Sequence, residues 1–151
     1  MLVYKLSQIN TISKKISNNL FSEDYLFLYG ELGSGKTTFA RSLINHLQKK
    51  NKVKITEVLS PTFNLLYEYD IKSFKVMHYD LYRLNSVKEI YELGIFEKKN
   101  NSLKIIEWPE KIKGKIKDRL DISFFYNKDK KTRKISLKGF GSWKKFFLNE
   151  I

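Results

Sequence analysis

Tyr25-Leu26-Phe27-Leu28-Tyr29 is apolar at every position, too short for a surface helix and without the alternation of a half-exposed strand. Such a run predicts a buried central strand, covered on both faces. A second run of the same kind, residues 103–107, contains Ile105 and Ile106 and is stopped by Pro109. Between them the period changes. From Lys36 to Lys50 the apolar positions Phe39, Ala40, Leu43, Ile44 and Leu47 recur at three- and four-residue spacing, which predicts an amphipathic helix closed by the basic turn Lys49-Lys50-Asn51-Lys52. Ile12, Ile16 and Leu20 place another helix over residues 10–20, after a short strand over residues 2–6.

Shorter patterns fill the rest. Residues 53–59 and 63–70 read as strands on either side of a break at Pro61, and residues 74–80 follow the polar turn Ile71-Lys72-Ser73, so the last two predict a hairpin. Ser86 with Glu89 three positions on forms a capping box for a helix over residues 86–93, ended by Gly94. Residues 120–126 and 133–137 predict a second hairpin around a charged loop, and residues 143–148 a short terminal helix. Alternation of buried strands with helices predicts an α/β fold: a mostly parallel central sheet with antiparallel marginal strands and flanking helices. No repeat or linker divides the chain, so residues 1–151 are expected to form one domain.

Directly after the first apolar run, Gly30-Glu31-Leu32-Gly33-Ser34-Gly35-Lys36-Thr37 fits G-x-x-x-x-G-K-[ST] at every position. A strand before it and a helix after it supply the context of a phosphate-binding P-loop. Glycines let backbone N–H groups approach phosphate oxygens, and the helix N-terminus favours the anion. Gly33, Ser34, Gly35, Lys36, Thr37 and Thr38 are therefore the candidate nucleotide-binding residues, with Lys36 for the β and γ phosphates of ATP and the Thr37 hydroxyl for Mg²⁺. A magnesium ion held through phosphates needs carboxylates for itself or its waters. Asp80 and Glu107 each close a predicted strand, and in an open α/β sheet the ligand crevice lies at the carboxyl ends of strands. Both are candidate catalytic and metal residues, and the sequence does not settle which activates water.

Composition narrows the class. The 151 residues include no cysteine and two histidines, which excludes thiolate zinc sites and fits a reducing compartment. No stretch approaches the length of a membrane span and residues 1–24 lack a signal-peptide core, so a soluble cytoplasmic protein without a membrane partner is expected. The net charge of +13 is concentrated late: residues 109–151 hold 13 Lys and Arg against 5 Asp and Glu. This could serve RNA or another polyanion, or be a solvated surface, since 25 of the basic residues are Lys and 4 are Arg.

Five segments together resemble the TsaE (YjeE) family: residues 30–39 (GELGSGKTTF), Ser60-Pro61-Thr62-Phe63, the run from His78 through Asp80 and Arg83 to Leu84, Glu92-Leu93-Gly94, and Ile106-Glu107-Trp108-Pro109-Glu110. The resemblance implies a small bacterial Mg²⁺-dependent ATPase of tRNA threonylcarbamoyladenosine synthesis at adenosine 37. It implies slow hydrolysis, stimulated by partners, that lets the TsaD and TsaB proteins turn over, with tRNA contacted directly or indirectly. It makes residues 60–63 a switch-like loop, with the Thr62 hydroxyl near Mg²⁺ or water, and it adds Thr11 and Arg133 near the nucleotide. Arg83 is open between a phosphate contact and an ion pair, and Trp108 between a site wall and packing. Two rivals remain at this stage. A small-molecule kinase would share the P-loop but add a lid and an acceptor pocket. An RNA-binding module would need aromatics beside basic residues, as around Phe125 and Trp143.

Overall fold

The structure is a computed structural model that describes residues 1–97, 101–129 and 131–145. Its ten main elements are β1 (Leu2–Lys5), α1 (Ile9–Ser17), β2 (Tyr25–Tyr29), α2 (Lys36–Lys50), β3 (Leu66–Ile71), β4 (Phe74–Asp80), α3 (Val87–Glu92), β5 (Ser102–Glu107), β6 (Arg119–Tyr126) and β7 (Thr132–Phe140). The strands form one sheet in the order β1-β7-β6-β2-β5-β4-β3. Its inner pairs β6/β2, β2/β5 and β5/β4 are parallel, whereas β1/β7, β7/β6 and β4/β3 are antiparallel. This is the α/β architecture that the patterning predicts.

Side-chain alternation divides the core in two. Leu26 and Leu28 of β2 face α1 and α2, where they meet Ile12, Ile16, Phe39 and Leu43. Phe27, between them, faces the other way, towards Tyr79, Ile90, Ile106 and Ile112. Both faces of the central strands are covered, which is why β2 and β5 carry apolar runs and not alternation. The capping box of α3 is realised as predicted: Glu89 N–H donates to Ser86 Oγ at 3.3 Å and Ser86 N–H donates to Glu89 Oε2 at 2.9 Å.

Two element predictions need correction. Residues 53–59 form no strand; they run beside α2, whose side chains satisfy their backbone. Gln48 Oε1 accepts from Thr56 N–H, and Arg41 Nε donates to the Val58 carbonyl. Val58 is buried, but Ile55 is 53% and Leu59 43% exposed, so the apolar positions do not form one buried stripe. At the other end, residues 141–145 form a 3₁₀ turn in place of the start of an α-helix, with Trp143 buried against Asp24 through its indole N–H. The rest of that expected helix, residues 146–148, lies outside the described residues. Within the described residues, no helix is long and apolar enough to cross a membrane.

Candidate nucleotide-binding site

Parallel pairing brings three strand ends to one edge of the sheet. Residue Leu28 of β2 is level with Glu107 of β5, and Glu107 is level with Asp80 of β4. The loop after β2 is the P-loop, and it delivers its last residues into α2. Gly35 caps that helix at φ +112°, a left-handed conformation that a side chain would strain. Gly33, at φ +73°, lies so close to β6 that an added Cβ would stand 2.8 Å from the Tyr126 hydroxyl. That hydroxyl donates to the Leu32 carbonyl at 3.0 Å and ties the loop to the sheet.

The loop, the strand ends and residues 60–62 enclose a cavity of about 220 Å³. Gly33, Gly35, Lys36, Thr37, Thr38, Thr62, Asp80 and Glu107 line it, joined by Leu32, Ser60, Tyr82 and Trp108. Three of these side chains are paired with other parts of the site. Lys36 is buried and its ammonium donates to the Gly30 and Glu31 carbonyls at 2.7 and 3.0 Å, 4.0 Å from the centre of the Trp108 ring. Burial pushes the Lys36 pKa down, and Glu107, Asp80 and Glu110 oppose that shift only in part. Thr37 Oγ1 donates to Glu107 Oε2 at 3.0 Å, and Thr62 Oγ1 donates to Asp80 Oδ2 at 2.7 Å. The other Asp80 oxygen accepts from Tyr82 N–H at 2.9 Å.

Aromatic residues wall one side. Trp108 adopts φ +57°, uncommon for a bulky residue, and its ring stands 4.9 Å from that of Tyr82. Ser34 is fully buried, and its hydroxyl has no hydrogen-bond partner in the structure. A glycine-rich loop that carries an orphaned hydroxyl and a desolvated ammonium fits an anion with several acceptor oxygens. Among the described residues no three His, Asp or Glu side chains form a metal cage. The donor set therefore suits a cation that shares its shell with phosphate oxygens and water, as Mg²⁺ does.

Thr11, Ser34 and Arg133 do not line this cavity. Thr11 is exposed on α1. Arg133 stands beside the residue that ties the P-loop to the sheet, its guanidinium 4.3 Å from the Tyr126 ring whose hydroxyl holds Leu32. Sequence reasoning assigned no role to His78. It is fully buried, and its Nε2 stands 2.9 Å from Glu107 Oε1. The available signal was its place two residues before Asp80, which puts both side chains on one face of β4. A larger cleft of about 700 Å³, between the β3–β4 hairpin and residues 92–97, gathers none of the predicted residues.

The family model described as "Threonylcarbamoyl adenosine biosynthesis protein TsaE" matches residues 3–135. The tRNA threonylcarbamoyladenosine biosynthesis protein TsaE of Rickettsia typhi is 45% identical over 106 residues, covering 70% of this chain and 71% of that protein. The Haemophilus influenzae protein of the same name is 39% identical over 90 residues, 59% of this chain and 54% of its own. In fold, the chain is similar to the crystal structure of Bacillus subtilis YdiB, with a TM-score of 0.70 at 22% identity over 99% of this chain and 92% of that one. Together with the P-loop and strand-end acids already described, the match across residues 3–135 places the chain in the TsaE family of threonylcarbamoyl adenosine biosynthesis proteins.

Proposed function

We propose that this protein binds ATP with Mg²⁺ at the P-loop, hydrolyses it slowly, and uses the nucleotide state to serve tRNA threonylcarbamoyladenosine synthesis with TsaD and TsaB partners. The observation that carries this reading is the convergence of Lys36, Thr37, Thr62, Asp80 and Glu107 in one cavity. In it, Lys36 would leave its two loop carbonyls for the β and γ oxygens, and the Ser34 hydroxyl would gain an acceptor. Thr37 and Glu107, already in contact, would hold the metal, and Mg²⁺ when bound would neutralise charge on the phosphates. Asp80 and Thr62 would set the position of residues 60–63 and of an attacking water.

Coupling to partners follows from the same contacts. Thr62 is the side chain that joins residues 60–63 to a strand-end acid, by its hydrogen bond to Asp80; Pro61 is buried, and Phe63, 83% exposed, has its ring 5.3 Å from the Arg83 guanidinium. With that side-chain link made or broken, the loop can take two arrangements according to what Asp80 and Thr62 face. The single-domain organisation and cytoplasmic location form part of this proposal. The basic C-terminal third is assigned a salt-dependent contribution to tRNA or to an acidic partner face.

The test is phosphate release by the purified chain with and without TsaB and TsaD of the same organism. A slow basal rate that rises with the partners supports the reading. Fast release indifferent to them, or transfer of the phosphoryl group to a small acceptor, refutes it.

A further inference from the structure

We infer that His78 is a positioning residue that locks the Glu107 carboxylate towards Thr37, an assignment that rests on the metal-site reading above. His78 and Glu107 sit on adjacent parallel strands, with His78 level with Ile105 and Glu107 two residues further along, so both point to the α2 face. Both are buried, His78 completely and Glu107 to 2% exposure. A carboxylate offers no hydrogen, so the ring nitrogen 2.9 Å from Glu107 Oε1 carries one and donates it.

That donation comes from Nε2 and leaves the other ring nitrogen, Nδ1, turned away from the carboxylate. Nδ1 is buried without a hydrogen-bond partner in the structure. A purely structural residue here would be apolar, as Val76 and Ile105 on the same face are, because an unpaired buried nitrogen destabilises the fold. What the imidazole supplies is control of a flexible side chain. With Oε1 held by His78, the remaining oxygen is directed at the Thr37 hydroxyl, 3.0 Å away at the first turn of α2. Acids that hold metals are commonly fixed by such an outer partner, and loss of that partner weakens metal affinity about 10- to 100-fold.

The experiment compares the full chain with His78→Leu and His78→Gln. Glutamine extends an N–H donor to about the position of the imidazole Nε2, whereas leucine fills the space without one. ATP binding is measured by calorimetry across a Mg²⁺ series, and melting is followed in metal-free buffer. For His78→Leu the Mg²⁺ concentration at half-effect should rise roughly 10-fold, while affinity for metal-free ATP stays within about 2-fold. His78→Gln should recover most of the loss. Without metal, the melting shifts of His78→Leu and Glu107→Gln should be non-additive, because each removes the same contact.

A folded His78→Leu with a parental Mg²⁺ response overturns the assignment. So does a His78→Gln that melts like the parent yet fails like leucine, which would make the ring's shape the cause. Failure of both variants to fold would show the ring to be structural and would equally overturn it. If the parent's own ATP binding ignores Mg²⁺, the metal-site reading falls and takes this assignment with it. If the parent responds and only the His78 comparison fails, the proposed function stands.

Discussion

Lys36→Met separates what the P-loop lysine does for binding from what it does for the fold. In the structure its ammonium already has two carbonyl acceptors, at 2.7 and 3.0 Å, and the face of Trp108. Hydrogen bonds to charged groups contribute about 1.5–3 kcal/mol each, so two phosphate contacts total about 3–6 kcal/mol. Because binding exchanges the carbonyls for anionic oxygens, the lower end applies: about 3 kcal/mol, or roughly 100-fold in Kd. Stability answers to other contacts. The lowered Lys36 pKa means the charged form is disfavoured by burial more than Glu107, Asp80 and Glu110 restore. Removing the ammonium relieves that desolvation but strips the Gly30 and Glu31 carbonyls of their donor and Trp108 of its cation, so at neutral pH the variant should melt within a few degrees of the parent. Since the folded chain releases this proton before the unfolded chain does, the parent's penalty is complete below the folded pKa and disappears as pH rises through it towards 10.5. The parent should therefore gain stability relative to the variant as pH rises. Calorimetry and thermal melting over pH 7 to 10 provide the assay. A loss of ATP affinity below 10-fold, or a parent that gains nothing on the variant across that pH range, refutes the reasoning.

Other substitutions probe the neighbouring contacts. Gly33→Ala forces an alanine to φ +73° with its Cβ 2.8 Å from the Tyr126 hydroxyl, so ATP affinity should fall at least about 10-fold; adding Tyr126→Phe should recover only part, since the backbone strain of about 1–2 kcal/mol remains. Thr62→Val keeps the shape but removes the 2.7 Å donation to Asp80, and partner-stimulated phosphate release should drop while ATP affinity is held within about 3-fold; unchanged stimulation would remove the loop from the coupling. Arg119→Ala should cost about 3–5 kcal/mol in denaturant unfolding, because it strips a buried Asp121 of its paired guanidinium. Burial already raises the Asp121 pKa and Arg119 opposes it, so in the variant stability should fall as pH rises from about 4 upwards; a pH-independent loss would contradict this.

Local chemistry was legible in the sequence, and long-range placement was not. The strand, P-loop and helix from Tyr25 to Lys50 could be read because their signals are contiguous: an apolar run, three glycines and a helical stripe. Asp80 and Glu107 could be read as strand ends. That Glu107 would be the acid beside Thr37 depends on β5, and not β4, lying next to β2, which no local pattern encodes. Residues 53–59 misled because β-like residue types do not reveal whether a sheet edge is available. There the partners were Gln48 and Arg41 of α2. His78 escaped because its meaning lies in a contact 29 positions away. Thr11 entered through family resemblance alone, and the cavity does not include it.

Three of the side chains proposed to meet Mg-ATP are already engaged with another part of the site. Lys36 is on its own loop, Thr37 on Glu107 and Thr62 on Asp80. Binding must therefore exchange hydrogen bonds, and the exchanges differ in reach. Moving Lys36 off two backbone carbonyls affects only the P-loop. Turning Thr37 from Glu107 to a metal leaves Glu107 held by His78, so that acid stays in place. Drawing Thr62 away from Asp80 frees the Thr62 side chain from β4, while the backbone of the segment stays joined to the strand through Leu65, whose N–H donates to the Pro61 carbonyl and whose carbonyl accepts from Asp80 N–H. Asp80 loses nothing structural by this, since Tyr82 N–H still anchors its other oxygen. The two acids thus have opposite mechanical roles: Glu107 is fixed from behind and suits the holding of charge, whereas Asp80 is the point at which the state of the nucleotide can be passed to an exposed loop. In the proposed function, that asymmetry is what lets a site for slow hydrolysis act on a partner protein.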